Sequence, residues 1–177
     1  MSGFRTFIQP PQAADEKPFL AAMRNSVGLH YPWLSAPKDH KGWKRYMTRL
    51  ERKTEAGFLV KRLEDGLICG VVNLNLITFD ALCSAYTNYF GVAGLEERGY
   101  MKEGLYQVIR YAFDELGLHR LEANIQPQNT ASIRLAKSVG FCYEGYSPRY
   151  LRINGQWCDH ERWAVLADHA QHGLPTR

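Results

Sequence analysis

No run of apolar residues in this sequence approaches the ~20 that a membrane-spanning helix needs, and its first residues show no signal-peptide pattern. The expected location is therefore the cytoplasm, with no membrane partner. Cysteine is scarce: Cys69, Cys83, Cys142 and Cys158 stand far apart and form no C-x-x-C pair. The usual zinc and thiol-redox spacings are thus missing, and no metal is expected. Three of the four sit in apolar or strand-like surroundings, where reduced, buried cysteine is the expectation. Strong charge of one sign is lacking too. A formal charge of +4 permits contact with phosphates or acidic partners without requiring any, and nucleic acid is not expected as a partner. Asp159 and His160 could suggest a hydrolase dyad, yet no G-x-S-x-G nucleophile elbow accompanies them, and the pair reads as strand-end structure. There is no internal repeat and no linker.

What is present suits one domain over residues 1–177, with 45% apolar and 23% charged residues, enough for a real core. Residues 4–8 alternate as a first strand, stopped by Pro10-Pro11. A helix opens near Ala14, with Phe19, Leu20, Ala22 and Met23 on its apolar side and Pro18 in its first turn. Residues 26–38 hold Gly28, His30, Tyr31, Pro32, Trp33 and Pro37, and read as an aromatic-rich loop. From about Asp39 a second helix turns Trp43, Tyr46, Met47 and Leu50 inward. Lys41, Lys44, Arg45, Arg49, Arg52 and Lys53 line its other side, as a solvated face or one that meets an acidic or phosphate-bearing partner. Strands at 58–62 and 67–77 are joined by Glu64-Asp65-Gly66, a hairpin signal, and another strand occupies 85–92.

The stretch 89–141 organises the rest. A strand end, Tyr89-Phe90-Gly91-Val92, leads to the turn Glu96-Glu97-Arg98-Gly99-Tyr100-Met101, which opens into a helix. Its apolar residues Met101, Leu105, Val108, Ile109, Ala112, Phe113 and Leu116 recur at helical spacing. Such a turn aims unpaired N–H groups and the positive end of the helix dipole at its contents, making a candidate anion site. A strand at 120–126 and Pro127-Gln128-Asn129-Thr130-Ala131-Ser132 follow, entering a short helix that ends at Val139-Gly140-Phe141. Two successive strand-to-helix crossovers imply neighbouring strands with a cleft between their ends. Residues 141–153 and 156–166 form a last hairpin around Asn154-Gly155, and the tail after Asp168 is expected to fray. The fold class is mixed α/β, with about seven strands and four helices, antiparallel at first and crossing over later.

This order, with Pro127-x-Asn129-x-x-Ser132 and Gly140-Phe141-x-x-Glu144-Gly145, resembles the GNAT superfamily of acyl-CoA-dependent N-acetyltransferases. Within it, His30-x-x-Trp33 and Tyr150-Leu151-x-x-Asn154-Gly155-x-Trp157-x-Asp159-His160 are similar to the ribosomal-protein N-terminal acetyltransferases (RimJ/RimL-like). The resemblance implies a splayed central strand pair with acetyl-CoA as cosubstrate lying across the ends at 89–92 and 122–126. Pantetheine would meet exposed backbone near Val92, which would also supply the oxyanion donor. The pyrophosphate would rest on Arg98, Gly99, Tyr100 and Met101, with glycine at 99 allowing close approach. Asn129, a natural N-cap, would also reach the cofactor. Ser132 would point at the sulfur as the acid for the leaving thiolate, and Lys137 is placed to meet a phosphate or to stand solvated.

His30, Tyr31 and Trp33 would border the acceptor pocket, with Tyr89 close by. The chain departs from the family pattern at Glu96 and Glu97, where Gln or Arg and then Gly are usual, and at Met101, where Gly or Ala is; Arg98 is the compensation for the two carboxylates. It departs again at Leu151, where some members carry a glutamate base, leaving Tyr150, Glu144 and a water-linked Tyr89 as substitutes. The implied activity is acetyl transfer to a primary amine by direct attack, the acceptor being a protein N-terminus or a small amine such as a polyamine, amino acid or aminoglycoside. A non-catalytic acyl-CoA-binding module is the reading from another class, and a homodimer is open.

Overall fold

The computed structural model describes residues 3–168, so the expected frayed tail lies outside the described residues. In chain order the elements are β1 (Thr6–Gln9), α1 (Glu16–Asn25), α2 (Val27–His30), α3 (His40–Leu50), β2 (Ala56–Arg62), β3 (Ile68–Thr78), β4 (Ser84–Gly91), α4 (Tyr100–Arg110), β5 (Arg120–Ile125), α5 (Thr130–Ser138), β6 (Cys142–Ile153) and β7 (Gln156–Leu166). A π turn, Tyr111–Glu115, widens the end of α4.

The residues 26–38, expected as loop throughout, begin with the single turn α2, which makes five α-helices among the described residues instead of the four expected. Only Gly28 opposes that turn, at a cost of about 1 kcal/mol. The backbone bonds from His30 N–H to Ser26 and from Tyr31 N–H to Val27 close it before Pro32.

The seven strands form one sheet in the order β1-β2-β3-β4-β5-β7-β6, and only β4 and β5 run parallel. The first crossover therefore places neighbours side by side as expected. The second does not, because β7 lies between β5 and β6. The hairpin makes β6 and β7 neighbours: Asn154 and Gly155 both have positive φ, 49° and 85°, as a tight two-residue turn requires. The turn folds β7 back so that Trp163 and Val165 sit opposite Ala123 and Leu121 of β5.

Alternation along the strands sorts side chains between two cores. Phe58 and Val60 of β2, Val72 and Leu74 of β3 and Leu121, Ala123 and Ile125 of β5 face α4 and α5, against Leu105, Val108, Ile109 and Ala136. Leu59 and Val71 turn to the opposite face, where Phe19, Met23, Trp43 and Tyr46 of α1 and α3 cover them. On α3 the basic side is exposed except at Arg49, which is half-buried over the Tyr46 ring at 5.5 Å and faces Glu55 at 3.7 Å. All four cysteines are unpaired, but only Cys69 is buried. Strand surroundings did not imply burial for Cys142, because β6 is the outermost strand.

Helix α4 can approach β2 because position 104 is glycine: a Cβ there would lie 2.3 Å from Cγ2 of Val60. Alanine in a helix gains about 1 kcal/mol over glycine, whereas overpacking costs about 1–3 kcal/mol, so the clash should win. Gly104→Ala is expected to lower unfolding stability in urea, and adding Val60→Ala should recover part of the loss. Equal stability of Gly104→Ala and wild type would show that α4 moves freely on the sheet.

Candidate active site at the parting of two strands

Strands β4 and β5 pair at Ser84↔Arg120, Ala85↔Leu121 and Tyr86↔Glu122 and then stop, while β4 stays paired with β3 as far as Gly91. The Val92 N–H donates to the Cys69 carbonyl at 3.1 Å, which sets the phase of the ladder. Bonded residues alternate along an antiparallel pair, so Phe90 and Val92 turn their backbone groups to β3, and Tyr89 and Gly91 turn theirs to the gap. The expected exposed backbone near Val92 is therefore corrected to Tyr89 and Gly91. Beyond Val92, the N–H of Ala93 donates to Ser26 Oγ at 2.9 Å and that of Gly94 to the Glu96 carboxylate at 2.5 Å.

A cavity of about 650 Å³ opens at this gap. Tyr89 of β4 and Val92 just beyond it, Gly99, Tyr100 and Met101 at the start of α4, the N-cap Asn129 and Ser132 at the start of α5, and His30 and Trp33 from α2 and its following turn all line it. Arg98, Lys137 and Tyr150 are not among its lining residues. Arg98 is exposed, and its carbonyl accepts from Arg5 Nη2 at 2.8 Å. Lys137 Nζ lies 5.2 Å from the centre of the Trp163 ring, a cation–π contact that draws it to the sheet. Tyr150 stands on β6 with its ring 6.2 Å from that of His160.

Gly99 caps α4 with φ of 83°. A Cβ there would meet only Arg5 Nη2, at 3.0 Å. The left-handed conformation, at about 1–2 kcal/mol for an L residue, is thus a requirement for glycine within the chain itself. The long side chain of Met101 is accommodated because β3 and β4 carry glycines beneath it: a Cβ on Gly70 would fall 2.1 Å from Met101 Sδ, and one on Gly91 3.5 Å from its Cγ. Glu96 is folded back onto the Gly94 N–H, and Glu97 is exposed at φ of 59°.

At the start of α5, Asn129 Oδ1 accepts the Ser132 N–H at 3.1 Å, closing the N-cap, and the Tyr89 hydroxyl donates to the Ser132 carbonyl at 2.9 Å. Burial pushes the Tyr89 phenol up to about 12, so it stays protonated and is a poor base. Glu144 forms a two-pronged ion pair with Arg120, one contact at 2.9 Å. That guanidinium holds its carboxyl below the usual range. Leu151 is exposed opposite Cys158.

Sequence reasoning missed the ties that hold the cleft. Ser26, fully buried, donates to the Ala22 carbonyl at 2.7 Å while accepting the Ala93 N–H. His30 donates from Nε2 to the Gly91 carbonyl at 2.9 Å and packs edge-on against Phe90. Arg5 bonds Glu103 in the first turn of α4 at 2.5 and 2.8 Å and lies over the Tyr100 ring at 4.9 Å. The only signal for the first pair was the one-turn spacing of Ser26 and His30; Arg5 and Glu103 are too far apart in sequence to leave any. Among the described residues no group of three or more His, Cys, Asp or Glu could hold a metal ion, and no helix is long and apolar enough to cross a membrane.

A family model for the acetyltransferase (GNAT) domain matches residues 5–142. The probable N-acetyltransferase YjcK of Bacillus subtilis (strain 168) is 38% identical over 121 residues, which are 68% of this chain and 67% of that protein. The ribosomal protein uS5-alanine N-acetyltransferase of Escherichia coli (strain K12) is 37% identical over 93 residues, 52% of this chain and 48% of its own length. The matched stretch thus spans between about half and two thirds of these relatives. Among solved structures, RimJ of Mycobacterium smegmatis in complex with CoA-disulfide shares the fold with a TM-score of 0.85 at 24% identity, covering 97% of this chain and 84% of that one. Spermidine N-acetyltransferase of Vibrio cholerae in complex with CoA and spermine does so with a TM-score of 0.80 at 18% identity, covering 95% and 99%.

Gly99→Val should weaken acetyl-CoA binding well beyond the effect of Lys137→Ala, since the first distorts the turn that opens α4 and the second removes a side chain engaged with Trp163. Calorimetric titration checks this; equal affinities in both variants and wild type would remove the turn from the site.

Proposed function

This chain belongs to the GNAT acetyltransferase family, and from that premise we propose that it is a cytoplasmic enzyme that moves an acetyl group from acetyl-CoA to the α-amine of a protein N-terminus. The observation that carries the reading is the open backbone edge of Tyr89 and Gly91, facing a cavity bounded by the N-terminal turns of α4 and α5. Pantetheine would bond this edge, and its N–H groups would meet the oxyanion of the tetrahedral intermediate. The diphosphate would lie at Gly99, Tyr100 and Met101, where the dipole of α4 favours negative charge. Ser132, on the first turn of α5, would give a proton to the departing thiolate.

The acceptor class follows from the side chains that cannot act as a strong base. Leu151 has no proton chemistry, Glu144 is paired with Arg120, and the Tyr89 phenol is raised by burial. An α-amine has a pKa of ~7.7–8.0 and a lysine amine one of ~10.4, so near pH 7.5 roughly a third of the first are neutral but only about one in a thousand of the second. An enzyme with at most a weak base loses little with an α-amine and some three orders of magnitude with lysine. The similarity to an alanine N-acetyltransferase supports this choice; the similarity to a spermidine acetyltransferase supports the polyamine alternative.

The expected outcome is a much higher kcat/KM for peptides with a free N-terminus than for the same peptides with a blocked N-terminus and an internal lysine, with polyamines also poor. Robust acetylation of the blocked peptide would overturn the α-amine assignment. Ser132→Ala is expected to lower kcat by about 10²-fold or more while leaving acetyl-CoA affinity nearly intact, and an unchanged kcat would leave Ser132 as a helix residue only.

A further inference from the structure

Two residues of the basic side of α3, Arg45 and Arg49, border a second cavity of about 400 Å³, together with Lys38 of the loop before that helix. Among the described residues neither Arg45 nor Lys38 is in an ion pair, whereas Arg49 faces Glu55 at 3.7 Å. The carboxylate on the cavity wall, that of Asp39, accepts the Gly42 N–H at 2.7 Å and caps α3. A hydrogen-bond relay of fixed direction runs into the same space. Burial pushes the Tyr46 phenol up, so it stays protonated, and its hydroxyl donates to Asn73 Oδ1 at 2.8 Å. Asn73 Nδ2 in turn donates to Asn88 Oδ1 at 2.9 Å. The amide nitrogen of Asn88, an exposed residue, is left with its hydrogens unspent. A guanidinium, an ammonium and an amide N–H thus border one space, each a donor without an acceptor among the described residues. That set is the complement of a carboxylate.

The place of this cavity is the second observation. Leu34 and Phe90 line both it and the cavity at the strand gap, so the two spaces share a wall. Both residues are half-buried, and solvent reaches that wall. Strand β4 runs past both spaces: Asn88 borders the second cavity, and Tyr89 and Gly91 border the first. Phe90 pairs with Val71 and Asn88 with Asn73, on the face that α1 and α3 cover. From Asn88 to Gly91 the strand advances three residues, about 10 Å at ~3.3 Å per residue. An extended peptide advances ~3.3–3.6 Å per residue, so two or three residues of acceptor cover the same span. The carboxylate of a free amino acid, one residue from its own amine, falls short of it.

We propose that this second cavity is a specificity subsite for an acidic side chain, carried by the acceptor peptide two or three residues beyond its reacting amine. Arg45 is the principal partner of that carboxylate, because its planar fork matches two oxygens at once, and Asn88 Nδ2 is the further donor. The inference rests on the α-amine reading and deepens it, since it names the class of N-terminal sequence that the enzyme selects. A neutral amide at the same place brings its own N–H groups among groups that are already donors, and a basic residue brings like charge. Arg45 is exposed, so water and salt weaken its attraction, and the selection it exerts is a preference rather than an absolute requirement.

The test compares C-terminally amidated peptides with a free α-amine that differ only in carrying glutamate or glutamine at the second and third positions. In the wild type the glutamate peptide should have a kcat/KM about tenfold higher or more, with the difference in KM. Arg45→Gln changes an exposed side chain and should remove most of this preference while leaving the glutamine peptide's kcat/KM unchanged. Lys44→Gln, exposed on the same helix but outside the cavity lining, removes the same charge and should leave the preference in place. Equal kcat/KM for the two peptides in the wild type, an undiminished preference in Arg45→Gln, or an equal loss in Lys44→Gln would each overturn the proposal. A second measurement needs no turnover: calorimetric binding of the N-acetylated forms of both peptides to the CoA-loaded enzyme. Tighter binding of the glutamate form, lost in Arg45→Gln, supports the subsite, and equal binding of the two forms overturns it. Failure of the α-amine reading shows elsewhere, as acetylation of the N-blocked lysine peptide, and leaves this binding comparison interpretable.

Discussion

Parallel pairing between β4 and β5 ends after three residue pairs, and the rest of the molecule is arranged around that ending. A buried strand edge with unpaired N–H and C=O groups is costly, so it persists only where its groups are needed or are met by something else. Here β3 keeps one edge of β4 bonded to the end of the strand. The opposite edge is met partly by His30, through the Gly91 carbonyl, and partly by the cavity. Tyr89 then spans the gap to the backbone of α5.

The elements around the gap are placed by small residues and ties rather than by bulk. Gly104 lets α4 sink onto Val60, and Gly70 and Gly91 make room for Met101. Gly99 supplies the left-handed turn that aims the first N–H groups of α4 at the cavity. Glu103, within the same first turn, holds Arg5 and so anchors the edge strand to the helix. On the opposite side Ser26 and His30 bind the α1–α2 junction to the residues that follow β4. An extra methyl group in any of these glycine contacts would be felt at the gap, because the interior is close-packed and transmits displacement.

The chemistry of the cleft is set by what each ionisable group is already doing. Arg120 commits both Glu122 and Glu144 to ion pairs. Burial keeps the Tyr89 phenol protonated. Outside the cavity lining, burial lowers the pKa of the His160 imidazole, one nitrogen of which is anchored on the Cys158 carbonyl. The carboxylates that line the cavity are instead Glu96, folded back onto the Gly94 N–H, and Glu97 beside it.

The mixed α/β class, the Asp-Gly and Asn-Gly hairpins, the amphipathic α4 and the Asn129 cap were legible in the sequence, because each depends on residues within a turn or two of one another. The resemblance to the acetyltransferase family was legible for the same reason, as ordered local motifs. Which backbone groups face the gap was not, since the phase of β4 is set by a bond from Val92 to Cys69, more than twenty residues away. Nor was the insertion of β7 between β5 and β6, which depends on which sheet edge the last hairpin meets. The one-turn helix α2 contains Gly28 and stops just short of Pro32, and the His30 side chain ties its last residue to β4. Asp159 and His160, expected at a strand end, lie inside β7, where His160 is buried and Asp159 bonds Tyr146 and the Arg149 N–H, contacts that exist only once β6 and β7 are side by side. Local spacing determines elements, caps and turns through short-range sterics and hydrogen bonds; pairing between distant strands decides which of their groups remain open.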